Sequence, residues 1–317
     1  MENKVFSLIN YVGHKSKILD QVLSCFPDSI DGTFWDIFCG SSVVGLSANF
    51  KKVNFVDNNQ HLVNLYSHLR DEDFLATLES MIEEYNLTNS SKKPRSEYLK
   101  DPRIGVCTWQ GEKIKNLHLD KLNEAGYREL LDKYNTLNMC GVDAAAAYMI
   151  LTLYGRNSNV SIKKDGKLSG GVGPLDFSIK ARKKYFEHLD VMKGRDLNWV
   201  HGSFSDINPE EGDFVYLDPP YLASGYKYGG WKEKDETDLL DWIDNLSCPW
   251  VLSNTFASGD KENKLLMKWS KKYKVIPVEK KYRVWASKKE GTAKREKKRN
   301  LEVLIVPAEL SSICKVA

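Results

Sequence analysis

Residues 214–221 read Phe-Val-Tyr-Leu-Asp-Pro-Pro-Tyr. An apolar, strand-like run meets two consecutive prolines, each without a backbone donor and each with φ fixed near −65°, so Pro219 and Pro220 end a buried strand and hold a rigid turn. The turn presents Asp218 and Tyr221 at the carboxyl end of a sheet, where open α/β sheets bind their ligands. A carboxylate, fixed backbone carbonyls and an aromatic face suit a flat substrate bearing an exocyclic amine. The acceptors take its N–H groups and the ring stacks on it. An ordinary proline-stiffened loop with Tyr221 as packing is written with the same letters.

A second site far upstream bears on that choice. Residues 33–45, Thr-Phe-Trp-Asp-Ile-Phe-Cys-Gly-Ser-Ser-Val-Val-Gly, pass from an apolar strand through a small-residue turn into a helical pattern over 43–50. Gly40 lets the backbone approach a ligand, and the following helix offers free N–H groups at its start. A second apolar strand, 53–56, ends in Asp57-Asn58. That places an acid about 20 residues beyond Asp36, the spacing at which a Rossmann-like βαβ unit holds ribose hydroxyls. The chain has no GxGxxG, and Ser41-Ser42 stands where a pyrophosphate binder needs further glycine. A nucleoside cofactor without phosphates fits better, which argues against a nicotinamide dehydrogenase.

In these motifs the chain resembles the Dam-like, D12-class (α-group) DNA adenine-N6 methyltransferases, which use S-adenosylmethionine. The matches keep the family's order: Tyr11-Val-Gly-His-Lys15, Asp36-Ile-Phe-Cys-Gly40, Val56-Asp57-Asn58, a long insert, and Asp218-Pro-Pro-Tyr221, with weaker likenesses in Trp250-Val-Leu-Ser-Asn254 and the strand 301–306. Ser42 and His14 replace glycines frequent in the family. The resemblance implies an α/β fold, a Rossmann-like S-adenosylmethionine-dependent methyltransferase sheet with helices on both faces, plus an inserted, mainly helical target-recognition domain. The expected boundaries are 1–70 and 196–317 for the two parts of the catalytic domain and 71–195 for the insert.

The implied reaction is direct methyl transfer to N6 of an adenine flipped out of double-stranded DNA. Asp218 and the Pro219 carbonyl accept the amine's N–H bonds, Pro220 stiffens the turn, and Tyr221 stacks on the base. On the cofactor side, Asp57 holds the ribose hydroxyls and Gly40 admits the methionine part. Asp36 and Asn58 come with their motifs, Phe38 and Phe204 are walls or core packing, and Tyr11 and Lys15 contact the cofactor by resemblance. Lys15 is also expected to pair with Asp218 in the absence of ligand. No Pro-Cys dipeptide occurs, which sets aside cytosine-C5 chemistry, and the reaction needs no metal. The same chemistry on cytosine N4, RNA or a protein glutamine, and a DNA-binding homologue with a decayed site, are the alternatives. Asp218, in place of the Asn usual in glutamine enzymes, counts against the protein substrate.

Composition sets only outer bounds. A chain of 317 residues with 42% hydrophobic residues buries a sizeable core, and the apolar run 144–154 is too short to cross a bilayer. Six cysteines without a CxxC pair suggest neither a zinc site nor a disulfide framework, so the expected compartment is a reducing cytoplasm, with association to the nucleoid when bound to DNA. A cognate restriction endonuclease is an expected partner, without stable contact.

Net charge is only +3, but ten Lys or Arg residues lie between Lys280 and Arg299 against Glu290 and Glu296. Flanked by strand-like 282–286 and 301–306, this run is expected to be a hairpin loop at the sheet rim, either merely solvated or contacting phosphates through Lys288, Lys289, Lys294, Lys297 and Lys298. The polar, glycine-rich stretch 154–174 corresponds by position to the family's target-recognition region. Arg156, Asn157 and Asn159 are suited to base edges, and Lys163, Lys164 and Lys167 to phosphates, unless the stretch is an ordinary surface hairpin around Asp165-Gly166. Helical patterns are expected over 15–26, 60–70, 73–85, 128–134 and 142–153, with a polar linker over 88–102 and a return to strand near Trp199.

Overall fold

The computed structural model describes residues 4–11, 13, 15–98, 100–104, 106–109, 112–115, 119–136, 140–224, 230–278, 300–312 and 314. The chain divides into two compact units. One comprises residues 15–58 with 195–317, the other residues 1–14 with 59–194.

The first unit is built on an eight-stranded sheet, its strands numbered here in chain order: β1 (Phe34–Ile37), β2 (Lys52–Asp57), β3 (Asp196–His201), β4 (Phe214–Leu217), β5 (Trp250–Ser258), β6 (Lys261–Glu262), β7 (Lys274–Pro277) and β8 (Asn300–Val306). Their order is β7-β8-β5-β4-β1-β2-β3, with β6 paired to β5. The β3-β2-β1-β4-β5 stretch is parallel throughout, and β8 runs antiparallel to both of its neighbours. The chain steps outward from β1 through β2 to β3 and then returns to the other side of β1 for β4. That reversal makes the β1/β4 boundary the switch point at which open sheets bind ligands.

All four residues of β4 are buried, as an apolar run covered on both faces requires. On one face Val215 and Leu217 pack with Leu239, Leu240 and Ile243 of the helix Glu233–Asp244 and with Leu266 of the helix Lys264–Trp269. On the other, Phe214 lies 4.9 Å from Phe26, and Phe34 lies 5.0 Å from Phe50 and 5.4 Å from Phe214, an aromatic layer of buried rings. Arg195 closes the carboxyl end of the short helix Val43–Ser47: its guanidinium donates to the carbonyls of Gly45, Leu46, Ala48 and Phe50 at 2.8–3.0 Å.

The second unit is mainly helical, with helices Gln60–His68, Phe74–Glu84, Asp120–Thr136, Gly141–Tyr154 and Ile179–Met192. The Gly141–Tyr154 helix is apolar nearly all round and buried from Ala144 to Thr152, so it is the axis on which 60–68, 74–84 and 120–136 pack. The helix after β2 therefore packs within this unit. Asn59 starts it, accepting the N–H groups of His61 and Leu62 at 3.1 and 3.3 Å.

Several expectations shift in detail. The helical pattern over 15–26 resolves into a 3-10 turn, Lys15–Lys17, and one short helix, Leu19–Leu23. The expected helix 128–134 is the second half of a longer one, Asp120–Thr136, and the linker 88–102 contains a helical turn, Arg95–Tyr98. On the side of β8 away from β5, the strand that pairs with it is Lys274–Pro277. The expected partner strand, 282–286, lies outside the described residues.

Candidate functional site

Parallel register puts Ile37 of β1 opposite Leu217 of β4, so Phe38 and Asp218 leave the sheet at the same edge. Asp218 donates its backbone N–H to the Ile37 carbonyl at 3.3 Å, extending the ladder by one bond before the prolines end it. Tyr221 then folds back, its hydroxyl 3.2 Å from Asp218 Oδ1 and 3.3 Å from Ser253 Oγ on β5. Lys15, in the turn before the first helix, donates to Asp218 Oδ2, and its ammonium lies 5.2 Å from the centre of the Tyr221 ring. The ion pair is shielded, with side-chain exposures of 9% for Lys15 and 18% for Asp218. Burial works against the Lys15 charge, but Asp218 and Tyr221 prevail and hold its pKa above the ordinary lysine value. Burial also raises the Tyr221 phenol, and the neighbouring Asp218 charge adds to this, so the hydroxyl stays protonated as a donor.

The turn after β1 explains how the chain does without a glycine-rich loop. Phe38, Gly40 and Ser42 all have left-handed backbones, with φ of 61°, 47° and 55°. For Ser42 that conformation costs on the order of 1 kcal/mol. Its buried hydroxyl is held in return by Trp199 Nε1 at 3.0 Å, and Trp199 itself stacks on Phe55 at 4.6 Å. Gly40 donates its N–H to Asp57 Oδ2 at 2.9 Å, tying the β1 turn to the end of β2. Asp36 Oδ2 accepts the Gly45 N–H at 2.9 Å inside the first turn of the following helix, and burial raises the Asp36 pKa well above the ordinary range. Two of the donors that a phosphate would need are thus bonded to carboxylates of the chain, and Asp57 adds a negative charge to this edge of the sheet, while that of Asp218 is balanced by Lys15. A pyrophosphate fits poorly there. A cationic ligand with hydroxyls fits well.

Phe38, Phe204 and Trp231 form an aromatic cluster beside the turn. The Phe38 and Phe204 rings are 6.0 Å apart, and Trp231 meets Phe38 edge-on at 5.7 Å. Asn58 is exposed at the end of β2, where its carbonyl is bonded to His201 Nε2 at 3.2 Å.

Lys15, Asp36, Phe38, Gly40, Asp57, Asn58, Phe204, Asp218, Pro219, Pro220 and Tyr221 therefore all belong to the sheet unit, most of them at the carboxyl ends of its strands. Tyr11, half-buried, belongs to the helical unit, as do Arg156, Asn157, Asn159, Lys163, Lys164 and Lys167, all exposed. In that unit Arg156 donates its N–H to the Gly171 carbonyl at 2.7 Å, and the left-handed Asn157 offers its carbonyl to Asn10 Nδ2 at 2.7 Å. The strands Ser161–Ile162 and Leu168–Ser169 pair as a hairpin across Asp165-Gly166. It is anchored by Asn135, which bonds both backbone groups of Leu168, and by His61 at the Gly166 carbonyl. Lys288, Lys289, Lys294, Lys297, Lys298 and His14 lie outside the described residues. Among the described residues no cluster of side chains has metal-binding geometry, and no helix is long and apolar enough to cross a membrane.

Trp231, Glu236 and Ser253 were not anticipated from the sequence as parts of this edge. For Glu236 a signal existed: it shares a helix face with Leu239, Leu240 and Ile243, where a charged residue is out of place.

Known proteins are similar to this chain over most of its length. M.FokI, a type II methyltransferase of Planomicrobium okeanokoites, is 28% identical over 294 residues, covering 87% of this chain and 40% of that protein. The modification methylase StsI of Streptococcus sanguinis is 26% identical over 277 residues, 83% of this chain and 37% of its own length. The type II methyltransferase M1.LlaDCHI of Lactococcus lactis subsp. cremoris is 22% identical over 258 residues, with 77% of this chain and 79% of that protein covered. The chain thus spans about two fifths of the first two relatives. The model of one family matches residues 11–284, a span that takes in β1 to β7 and every motif of the carboxyl edge: the chain belongs to the D12 class N6 adenine-specific DNA methyltransferases.

Proposed function

We propose that the chain transfers a methyl group to N6 of adenine at specific sites in double-stranded DNA, with S-adenosylmethionine as donor. The observation that carries this reading is the rigid Asp218-Pro219-Pro220-Tyr221 turn at the switch point of the sheet, with Lys15 on its carboxylate. Asp218 and the Pro219 carbonyl are acceptors of fixed position for the two N–H bonds of an exocyclic amine. They favour a pyramidal nitrogen and stabilise the positive charge that builds on it. Asp218 must exchange its present bonds to Lys15 and the Tyr221 hydroxyl for those of the amine; burial raises its pKa, and Lys15 opposes that rise and favours the ionised form. The Tyr221 ring supplies a stacking face for a base taken out of the duplex.

S-adenosylmethionine, when bound, supplies an electrophilic methyl group on a sulfonium. The Asp57 carboxylate suits that positive charge, and we assign Asp57 and Asn58 to the ribose hydroxyls and Gly40 to the methionine part. We read the helical unit as the target-recognition domain, reading bases with Arg156, Asn157 and Asn159 and holding phosphates with Lys163 and Lys164. Because its relatives are type II methyltransferases, we read the chain as the modification partner of a restriction endonuclease of the same specificity.

The test is to incubate the protein with S-adenosylmethionine and unmethylated plasmid and to quantify methylated nucleosides by mass spectrometry. N6-methyladenine confined to one sequence context, found by long-read sequencing, is the expected result. N4-methylcytosine, or no methylated base at all, overturns the proposal.

A further inference from the structure

Glu236 has no solvent exposure, although its helix runs along the surface of the sheet unit. Three side-chain donors converge on its carboxylate. Trp231 Nε1 reaches Oε2 at 2.8 Å, while Asn263 Nδ2 and Asn254 Nδ2 reach Oε1 at 2.7 and 3.2 Å. They come from three places in the fold: the segment leading into the Glu233–Asp244 helix, strand β5, and the cap of the next helix, where Asn263 Oδ1 also accepts the Leu266 N–H at 3.0 Å. All three neighbours donate, so the shell is matched to an acceptor-only, ionised carboxylate. Burying a carboxylate is costly even when it is hydrogen-bonded, and an apolar side chain on this helix face would pack without that cost. What an apolar side chain cannot do is fix an indole.

The indole that Glu236 holds packs against Phe38, the residue that leaves the sheet beside the switch point. Trp231 meets Phe38 edge-on at 5.7 Å, with an interplanar angle of 85°, and lies 6.5 Å from Phe204. Phe38 follows the last residue of β1, and Phe204 opens the turn after β3. Successive residues of β5 serve both parts of the site: Ser253 reaches the Tyr221 hydroxyl, and Asn254 reaches Glu236.

We propose that Glu236 is a positioning residue that fixes the indole of Trp231 against Phe38 and Phe204, and that this aromatic cluster packs against the base of the nucleoside cofactor. The proposal rests on the reading of the site as one for S-adenosylmethionine. It assigns Glu236 to cofactor affinity and away from the methyl-transfer step, because its action passes through the indole.

The experiment compares the wild type, Glu236→Gln, Trp231→Phe and the double variant, all as the full chain. It measures the KM for S-adenosylmethionine and for DNA, kcat, and the calorimetric Kd for the cofactor. Glutamine turns an amide N–H toward a shell of donors and breaks the bond to the indole. We expect the cofactor KM and Kd to rise about tenfold, equivalent to about 1.4 kcal/mol, with kcat at saturation and the KM for DNA within about twofold of wild type. Trp231→Phe should show the same split. Adding Glu236→Gln to Trp231→Phe should then cost nothing further, because Glu236 has lost the group through which it acts. An unchanged cofactor KM in Trp231→Phe overturns the proposal even if Glu236→Gln fails to fold. An equal effect of Glu236→Gln with and without the indole assigns Glu236 to the core alone and overturns it too. Wild-type protein that binds no S-adenosylmethionine sinks the cofactor reading itself, a result distinct from either.

Discussion

The backbone N–H of Gly40 and the carboxylate of Asp57 are joined by a 2.9 Å hydrogen bond that fastens the turn after β1 to the end of β2. Asp57 thus has a structural duty beside the ribose contact proposed for it, and two substitutions separate them. Asp57→Asn keeps an acceptor for Gly40 and removes the charge. Asp57→Ala removes both. Hydrogen bonds to a charged group contribute about 1.5–3 kcal/mol, so both variants should bind S-adenosylmethionine more weakly by roughly ten- to a hundredfold. Only the alanine variant should also lose thermal stability, by about 1–3 kcal/mol. Calorimetry together with denaturant unfolding checks both; cofactor affinity unchanged in Asp57→Asn would place the ribose elsewhere.

Asp218→Ala should slow methylation by a factor of roughly 10²–10³, the effect of losing one acceptor that acts mainly in the transition state. The ion pair with Lys15 adds a second consequence. Without Asp218 a buried ammonium loses its carboxylate, which costs about 3–5 kcal/mol when one member of a buried pair is removed. Lys15→Met in the Asp218→Ala background should restore much of that stability and none of the activity. Turnover of Asp218→Ala within tenfold of wild type would remove Asp218 from the mechanism.

His188 sets an acid limit on the helical unit. It is fully buried, its Nδ1–H donates to the Lys184 carbonyl at 2.7 Å, and its Nε2 meets no partner among the described residues. Burial, opposed by the bond to the Lys184 carbonyl and aided slightly by the Lys184 charge, lowers its pKa from 6.5 to about 4. The unfolded chain therefore binds a proton between pH 6.5 and about 4 that the folded chain refuses, and stability falls as pH falls through that window. The full loss is about 3 kcal/mol, because a tenfold difference in proton affinity between the two states is equivalent to about 1.36 kcal/mol. Urea midpoints of wild type should drop between about pH 7 and pH 4, whereas those of His188→Asn, which retains a donor for the Lys184 carbonyl, should drop by less. Parallel pH profiles for the two proteins would show that His188 is not the titrating group.

The strands at the site were legible because each is an apolar run ended by a residue with a backbone reason to end it: Pro219 for β4, the small-residue turn for β1, Asp57-Asn58 for β2. β7 was not, because Lys-Val-Ile-Pro is short, begins with a charge and ends in proline, which an edge position tolerates and a central one does not. The helix Ile179–Met192 is hidden for a related reason. Its basic residues interrupt the apolar stripe, and its start is signalled only by Ser178, whose hydroxyl accepts the Ala181 N–H at 3.3 Å. At the site, Asp57 and Asp218 stand at motif spacings that a sequence displays. Trp231, Glu236, Asn254 and Asn263 meet only through tertiary packing: the helix pattern marks Glu236 as an acid on an apolar face, but no spacing in the sequence names its three donors.

The remaining prediction concerns DNA. The exposed Arg156, Asn157 and Asn159 stand on a backbone fixed by the Arg156–Gly171 and Asn157–Asn10 bonds, so their side chains are presented from a defined frame suited to base edges. Lys163 and Lys164 stand on the hairpin anchored by Asn135 and His61 and are suited to phosphates, as are Lys288, Lys289, Lys294, Lys297 and Lys298 in the basic run. Alanines at the lysines should weaken binding to cognate and scrambled duplexes alike. They should also flatten the dependence of log K on log salt, by about 0.9 for each phosphate of B-DNA that is no longer neutralised. Alanines at 156, 157 or 159 should leave the salt slope nearly unchanged and reduce the preference for the cognate duplex by about 1–3 kcal/mol for each bidentate pairing with a base that they remove. Both quantities come from one titration series over several salt concentrations. If the lysine variants changed sequence preference at constant slope, or the 156–159 variants lowered affinity for every duplex equally, bases and phosphates would be read by other parts of the chain.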